Sequence, residues 1–173
     1  MGGPHASSKA RARRPLYTPA ERQRRDASVW TLVQGVLAPL QFLVFLVSLG
    51  LVLRWLFSGE GYALANASVV LKTLVLYTIM ITGSIWEKVV FGKWLFAPAF
   101  FWEDVFSMLV LALHTAYLVA LATGALDARG LMLLALAAYG TYLINAAQFL
   151  IKLRAARLDA AQPPAIVRGA YAP

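Results

Sequence analysis

The chain contains no cysteine. That excludes disulfides, thiolate nucleophiles and cysteine-ligated metals. Histidine is almost as scarce: His5 stands in a polar stretch near the N-terminus and His114 in an apolar segment, so a multi-histidine metal site within one chain is not expected. Charge is sparse too, at 14% of the 173 residues. Hydrocarbon takes its place. The chain is 60% hydrophobic with a mean hydropathy of +0.66, the composition of an integral membrane protein rather than a soluble domain.

The net charge of +8 raises nucleic acid as a partner, but its distribution argues against that. Seven of the sixteen basic residues (Lys9, Arg11, Arg13, Arg14, Arg22, Arg24 and Arg25) precede the first apolar run. A basic leader beside a membrane span is explained by topology and anionic headgroups. It is not a signal peptide, because the basic region is too long and the apolar run beyond it can span.

Four apolar stretches, near 29–56, 67–90, 100–123 and 129–153, reach the roughly 20 residues a bilayer crossing needs. The expectation is an all-α polytopic membrane protein, with four transmembrane helices in an antiparallel bundle joined by short loops. Residues 1–28 read as a basic cytoplasmic leader, 29–157 as the transmembrane domain and 158–173 as a disordered C-terminal tail. Lys88 and Lys93 follow the second span and Lys152, Arg154, Arg157 and Arg168 end the chain. The other two loops have only Arg54 and Arg129 at their edges. Positive-inside bias then puts both termini in the cytoplasm.

Polar residues inside such spans are the best functional signal, since hydrocarbon offers them no water. Glu103, Ser107, Val110 and His114 share one face of the third span, with His114 about 16 Å deeper than Glu103. Tyr142, Asn145, Gln148 and Lys152 share a face of the fourth. Glu87 closes the second span, and Gln34 and Gln41 lie almost in line on the first, around Pro39, where a kink is expected. All four helices thus offer polar groups at matching depth, and convergence on one shared site is expected. Each group also has a purely structural reading. Glu103 and Asp104 can serve the helix dipole as caps. Glu87, at a helix C-terminus, needs a partner such as Lys88 or Lys93. His114 can be an interior histidine, and the glutamines and Asn145 can join helices at under about 1 kcal/mol each. The aromatics Trp86, Phe91, Trp94, Phe96, Phe100, Phe101 and Trp102 suit an interfacial belt, a cleft for a large flat ligand, or both.

The stretches "PLYTPAERQRRDASVWTLVQGVLAPLQFLVFLVSL", "GSIWEKVVFGKWLFAPAFFWEDVFSMLVLALHT" and "YLINAAQFLIKLRAARL" resemble the vinyl (bacterio)chlorophyllide hydratase family of bacteriochlorophyll biosynthesis. The likeness covers roughly residues 15–158. It implies a hydro-lyase that adds water across the C3-vinyl group of chlorophyllide a or 3-vinyl bacteriochlorophyllide. The product is the 3-(1-hydroxyethyl) pigment, which another enzyme oxidises to acetyl. It implies no cofactor, the magnesium being part of the substrate. The expected partners are the pigment, membrane lipid and neighbouring enzymes of the pathway, in the bacterial inner membrane.

Placing oxygen on the inner vinyl carbon requires a proton on the terminal carbon first, hence a general acid and a group that activates water. With the resemblance in hand, Glu103 or Asp104 is the expected acid and Glu87 the group that activates water. His114 is a ligand for the substrate magnesium or an acid–base group. Lys88, Lys93 or Lys152 holds the pigment propionate, with Tyr142, Asn145, Gln34, Gln41 and Trp102 lining the site. Burial and a neighbouring carboxylate help an acid keep its proton, while the helix N-terminus opposes this. Two alternatives stand beside this reading. One is a non-catalytic pigment-binding or assembly protein, which needs the same cleft without a proton donor. The other is a small transporter, for which no repeat symmetry is visible.

Overall fold

The computed structural model of the chain describes residues 16–161, with side chains as far as Leu158. Five helices and no strand occur among the described residues: α1 (Pro19–Ala27), α2 (Val29–Ser58), α3 (Tyr62–Phe91), α4 (Phe101–Thr123) and α5 (Ala128–Ala161). The last four are long and apolar enough to cross a membrane. They match the four expected spans, with α3 starting earlier and α5 running further than expected. The extra length of α5 enters the stretch 158–173 read as a disordered tail; the remainder of that tail, and leader residues 1–15, lie outside the described residues.

The leader contains a helix that apolar periodicity does not announce, because α1 buries no residue of its own. Its signal is local. Thr18 Oγ1 accepts the Glu21 amide at 3.3 Å and Glu21 Oε2 accepts the Thr18 amide at 2.8 Å, a complete capping box. Pro19 takes the first helical position, where a missing N–H costs nothing. The helix is tied to the bundle by Arg24 Nε, which donates to the Val90 carbonyl at 2.8 Å. Just before it, Tyr17 stacks on Phe91 at 5.7 Å.

Sequential helices pack as antiparallel hairpins, α2 with α3 and α4 with α5, and the hairpins close on each other through α2–α5 and α3–α4 contacts. Gly59, Gly92 and Gly124 end α2, α3 and α4 in the left-handed region, at φ +75, +78 and +65, which glycine enters without a Cβ penalty. The helix is unbroken through Pro39, which faces out of the bundle. The interior is built from Phe45, Val52, Val69, Leu76, Met132, Tyr139 and Tyr142, with buried Ala65, Ala120 and Ala135 letting backbones approach. Large apolar side chains such as Leu43, Val47, Leu74 and Leu133 point outward, a surface suited to lipid.

Thr18→Ala removes the cap and is expected to cost α1 about 1 kcal/mol. Hydrogen exchange should speed up at amides 21–25 and stay unchanged in α2–α5; unchanged exchange at 21–25 would show that docking alone holds α1.

Candidate active site

The acids sit where α3 and α4 meet. Glu87 belongs to the last turns of α3, and Glu103 and Asp104 to the first turn of α4; all three are buried. The loop between them cannot continue the helix, because Pro98 disfavours helical backbone at Ala97. Phe96 is held at φ +58, a conformation costing a non-glycine residue on the order of 1–3 kcal/mol. Two carboxyls hold it there. Asp104 Oδ2 accepts the Phe96 amide at 2.8 Å and Glu87 Oε2 accepts the Ala97 amide at 3.2 Å. Adjacent amides thus set the two carboxyls side by side.

Glu103 has a different partner. Its Oε2 lies 2.5 Å from Lys152 Nζ, which also donates to the Ala99 carbonyl. Asn145 Nδ2 donates to the Glu103 carbonyl at 2.8 Å, and Ser107 Oγ to Asn145 Oδ1 at 3.3 Å. Glu103, Asn145 and Lys152 therefore clamp α4 to α5 directly beside the Glu87–Asp104 pair.

His114 and Tyr142 are not part of this cluster. His114 is fully buried, and its Nδ1 donates to the Val110 carbonyl at 2.8 Å. Since a carbonyl only accepts, Nδ1 carries a proton, and in the neutral imidazole Nε2 is left as an acceptor. Tyr142 packs on Phe45 at 5.0 Å and lies under Lys72 Nζ, 3.9 Å from its ring centroid. Gln41 is buried on the same side of α2 as Phe45, one turn away. Glu103 and His114 stay about 16 Å apart along α4 at 1.5 Å per residue, as their spacing requires, and the structure gives them different partners, Lys152 for Glu103 and the Val110 carbonyl for His114.

Other expected residues lie apart from both. Gln34 Nε2 donates to Thr82 Oγ1 at 2.8 Å and joins α2 to α3. Lys88 is exposed and donates to the Gly92 carbonyl at 3.0 Å, so it is not the partner of Glu87. Lys93 and Trp102 are exposed. The aromatics divide. Trp86, Phe91 and Phe100 pack together with Tyr17 and Phe149. Phe96, Phe101 and Trp102 form an exposed strip, with centroids 5.8 and 5.4 Å apart, continuous with the amide that Asp104 binds.

A family model described as 2-vinyl bacteriochlorophyllide hydratase matches residues 17–155. A protein of that name from Cereibacter sphaeroides is 68% identical over 154 residues, covering 88% of this chain and 95% of the relative. Another, from Rhodobacter capsulatus, is 68% identical over 154 residues, 89% of this chain and 90% of the relative. The chain belongs to the 2-vinyl bacteriochlorophyllide hydratase family. No solved structure matches it. In this hydratase-family fold, all three acids that the sequence points to come together at one end of the bundle, within the matched region.

Lys72 escapes the sequence reading. It is fully buried in α3, ten residues in from Tyr62 and so about 15 Å from the nearer helix end. The signal is present in "ASVVLKTLVLYT": a lone ionisable residue in the middle of a span is a functional candidate by default. Its enclosure by Tyr142 and His114 becomes visible only when α3, α4 and α5 are packed.

Lys152→Met leaves the Glu103 carboxylate without its ion partner. The expected loss of stability is about 3 kcal/mol, the low end for a buried pair because Lys152 is partly exposed. The double variant with Glu103→Gln should recover most of it. Thermal unfolding in detergent gives the cycle, and a single-variant loss indistinguishable from zero would reduce the pair to a surface contact.

Proposed function

We propose that this chain adds water to the C3-vinyl group of chlorophyllide a or 3-vinyl bacteriochlorophyllide, giving the 3-(1-hydroxyethyl) pigment without a cofactor of its own. The observation that carries this is the 68% identity, over 154 residues, to proteins named for a hydratase of a vinyl bacteriochlorophyllide. The geometry supplies parts suited to that chemistry: two buried carboxyls on adjacent amides, beside an exposed aromatic strip.

In this reading the flat macrocycle arrives from the lipid side and lies against Phe96, Phe101 and Trp102. Lys93 and Lys88, exposed at the same end, are placed to meet its propionate. One carboxyl of the Glu87–Asp104 pair gives its proton to the terminal vinyl carbon, and the double bond's electron pair forms the new C–H bond. The inner carbon becomes a cation conjugated with the macrocycle. Water oxygen attacks that carbon, and the carboxylate pair takes the water's second proton, so the pair ends with the proton count it began with. Two neighbouring carboxyls suit this role, since one proton shared between them avoids two adjacent buried negative charges.

Asp104 is favoured over Glu103 as the donor because Glu103 is committed to Lys152. The enclosed position of His114 favours an internal role over contact with the substrate magnesium. The same reading puts the carboxyl pair and both termini on the cytoplasmic side of the bacterial inner membrane, supported by the bias of basic residues to that end.

Membranes containing the full chain, incubated with the vinyl pigment, should yield a product heavier by one water. Asp104→Asn and Glu87→Gln should each lower turnover by at least about 10²-fold. Trp102→Ala should mainly raise KM, having removed only binding area. Full turnover in both carboxyl variants at normal protein level would remove the pair from the mechanism. Tight pigment binding with no hydrated product would favour a pigment carrier.

A further inference from the structure

The bundle centre contains three buried polar atoms that no described residue satisfies: Lys72 Nζ, His114 Nε2 and Gln41 Oε1. Lys72 and His114 are wholly enclosed and Gln41 is 3% exposed. They come from α3, α4 and α2 and gather around aromatic side chains. Lys72 Nζ lies over the Tyr142 ring, and the His114 ring is 5.9 Å from that of Tyr139. Both tyrosines pack on Phe45, at 5.4 and 5.0 Å, and Gln41 lies one helical turn from Phe45 on the same face. Two other hydroxyls nearby are already engaged, Ser48 Oγ with Tyr139 Oη at 2.5 Å and with Ser68 Oγ at 2.7 Å.

An orphaned polar atom in a membrane interior is strongly unfavourable, and nearly all such atoms find a partner in protein or bound water. The identities of these three specify the partner. Lys72 can only donate if charged. In the neutral ring His114 Nε2 can only accept, because Nδ1 holds the proton that bonds Val110. Gln41 Oε1 can only accept. The small molecule that accepts one hydrogen bond and donates two is water. An anion would face two lone pairs, and a metal cation would face an ammonium.

We propose that Lys72, His114 and Gln41 enclose a bound water molecule at the centre of the bundle, a site separate from the carboxyl pair. The water accepts from Lys72 Nζ and donates to His114 Nε2 and Gln41 Oε1. It joins α2, α3 and α4 where no direct hydrogen bond joins those three side chains. Tyr142 of α5 completes the wall by taking the face of the Lys72 ammonium. The site does not depend on the hydration reading and would exist equally in a carrier.

The test uses the full chain in lipid nanodiscs with ring-15N histidine. His5→Gln leaves His114 as the sole histidine. The expected His114 spectrum shows an unprotonated Nε2 shifted as a hydrogen-bond acceptor, with magnetisation transferred to the ring from water protons. That transfer should disappear in Lys72→Met and in Gln41→Leu, and either variant suffices if the other fails to accumulate. A protonated Nε2, transfer from the lysine ammonium instead of water, no transfer in the parent chain, or transfer unchanged in the variants would each overturn the site.

Discussion

Hydrocarbon forms no hydrogen bonds, and the polar side chains of this protein are arranged around that constraint. Around four helices surrounded by outward leucines, valines and phenylalanines, a buried carboxylate, amide or ammonium must find its partner inside the bundle. The clearest instance is the junction of α3 and α4. There the chain reverses in a short loop that contains a proline and a residue at positive φ, and two carboxyls accept its amides. Without those acceptors the Phe96 and Ala97 amides would be unpaired and Phe96 would have no reason to stay in the left-handed region. The aromatic strip and the first turn of α4 are placed by the same two bonds.

That arrangement gives Glu87 and Asp104 two tasks that need not compete. As acceptors they shape the loop; in the proposed reaction they also pass a proton. Glu103 shows the contrast. It stands one residue from Asp104 yet is turned toward α5 and bound to Lys152, which ties α4 to α5. One helical step, about 100° of rotation, is enough to separate the two roles.

The middle of the bundle follows the same constraint by another route. Lys72 Nζ, His114 Nε2 and Gln41 Oε1 make no hydrogen bond to one another, and the Tyr142 and Tyr139 rings lie beside Lys72 and His114. Their burial concentrates polarity at a point where α2, α3 and α4 converge on Tyr139 and Tyr142 of α5. This gives the bundle a register mark that apolar packing alone, with its many near-equivalent leucine contacts, would not supply.

The sequence by itself determined the helices, because 20-residue apolar runs have only one economical solution in a bilayer and the loops between them are too short for any but antiparallel neighbours. It also determined the end of the bundle at which the acids lie, since Glu87, Glu103 and Asp104 flank one short loop. It marked His114, Gln41 and Lys152 as unusual by their polarity alone. What only the tertiary structure decided is partnership. Helical periodicity places Glu103 on a face but does not say that Lys152 waits opposite, and it does not tell Asp104's carboxyl from Glu103's. It puts His114 and Glu103 on one stripe at different depths, whereas packing decides the partners of each and encloses Lys72 near the deeper one. It left α1 unmarked, because a capping box of four residues carries no apolar period. Contacts between residues forty or more positions apart depend on helix rotation and interhelical distance, and those are set by the fit of the whole core rather than by any one segment.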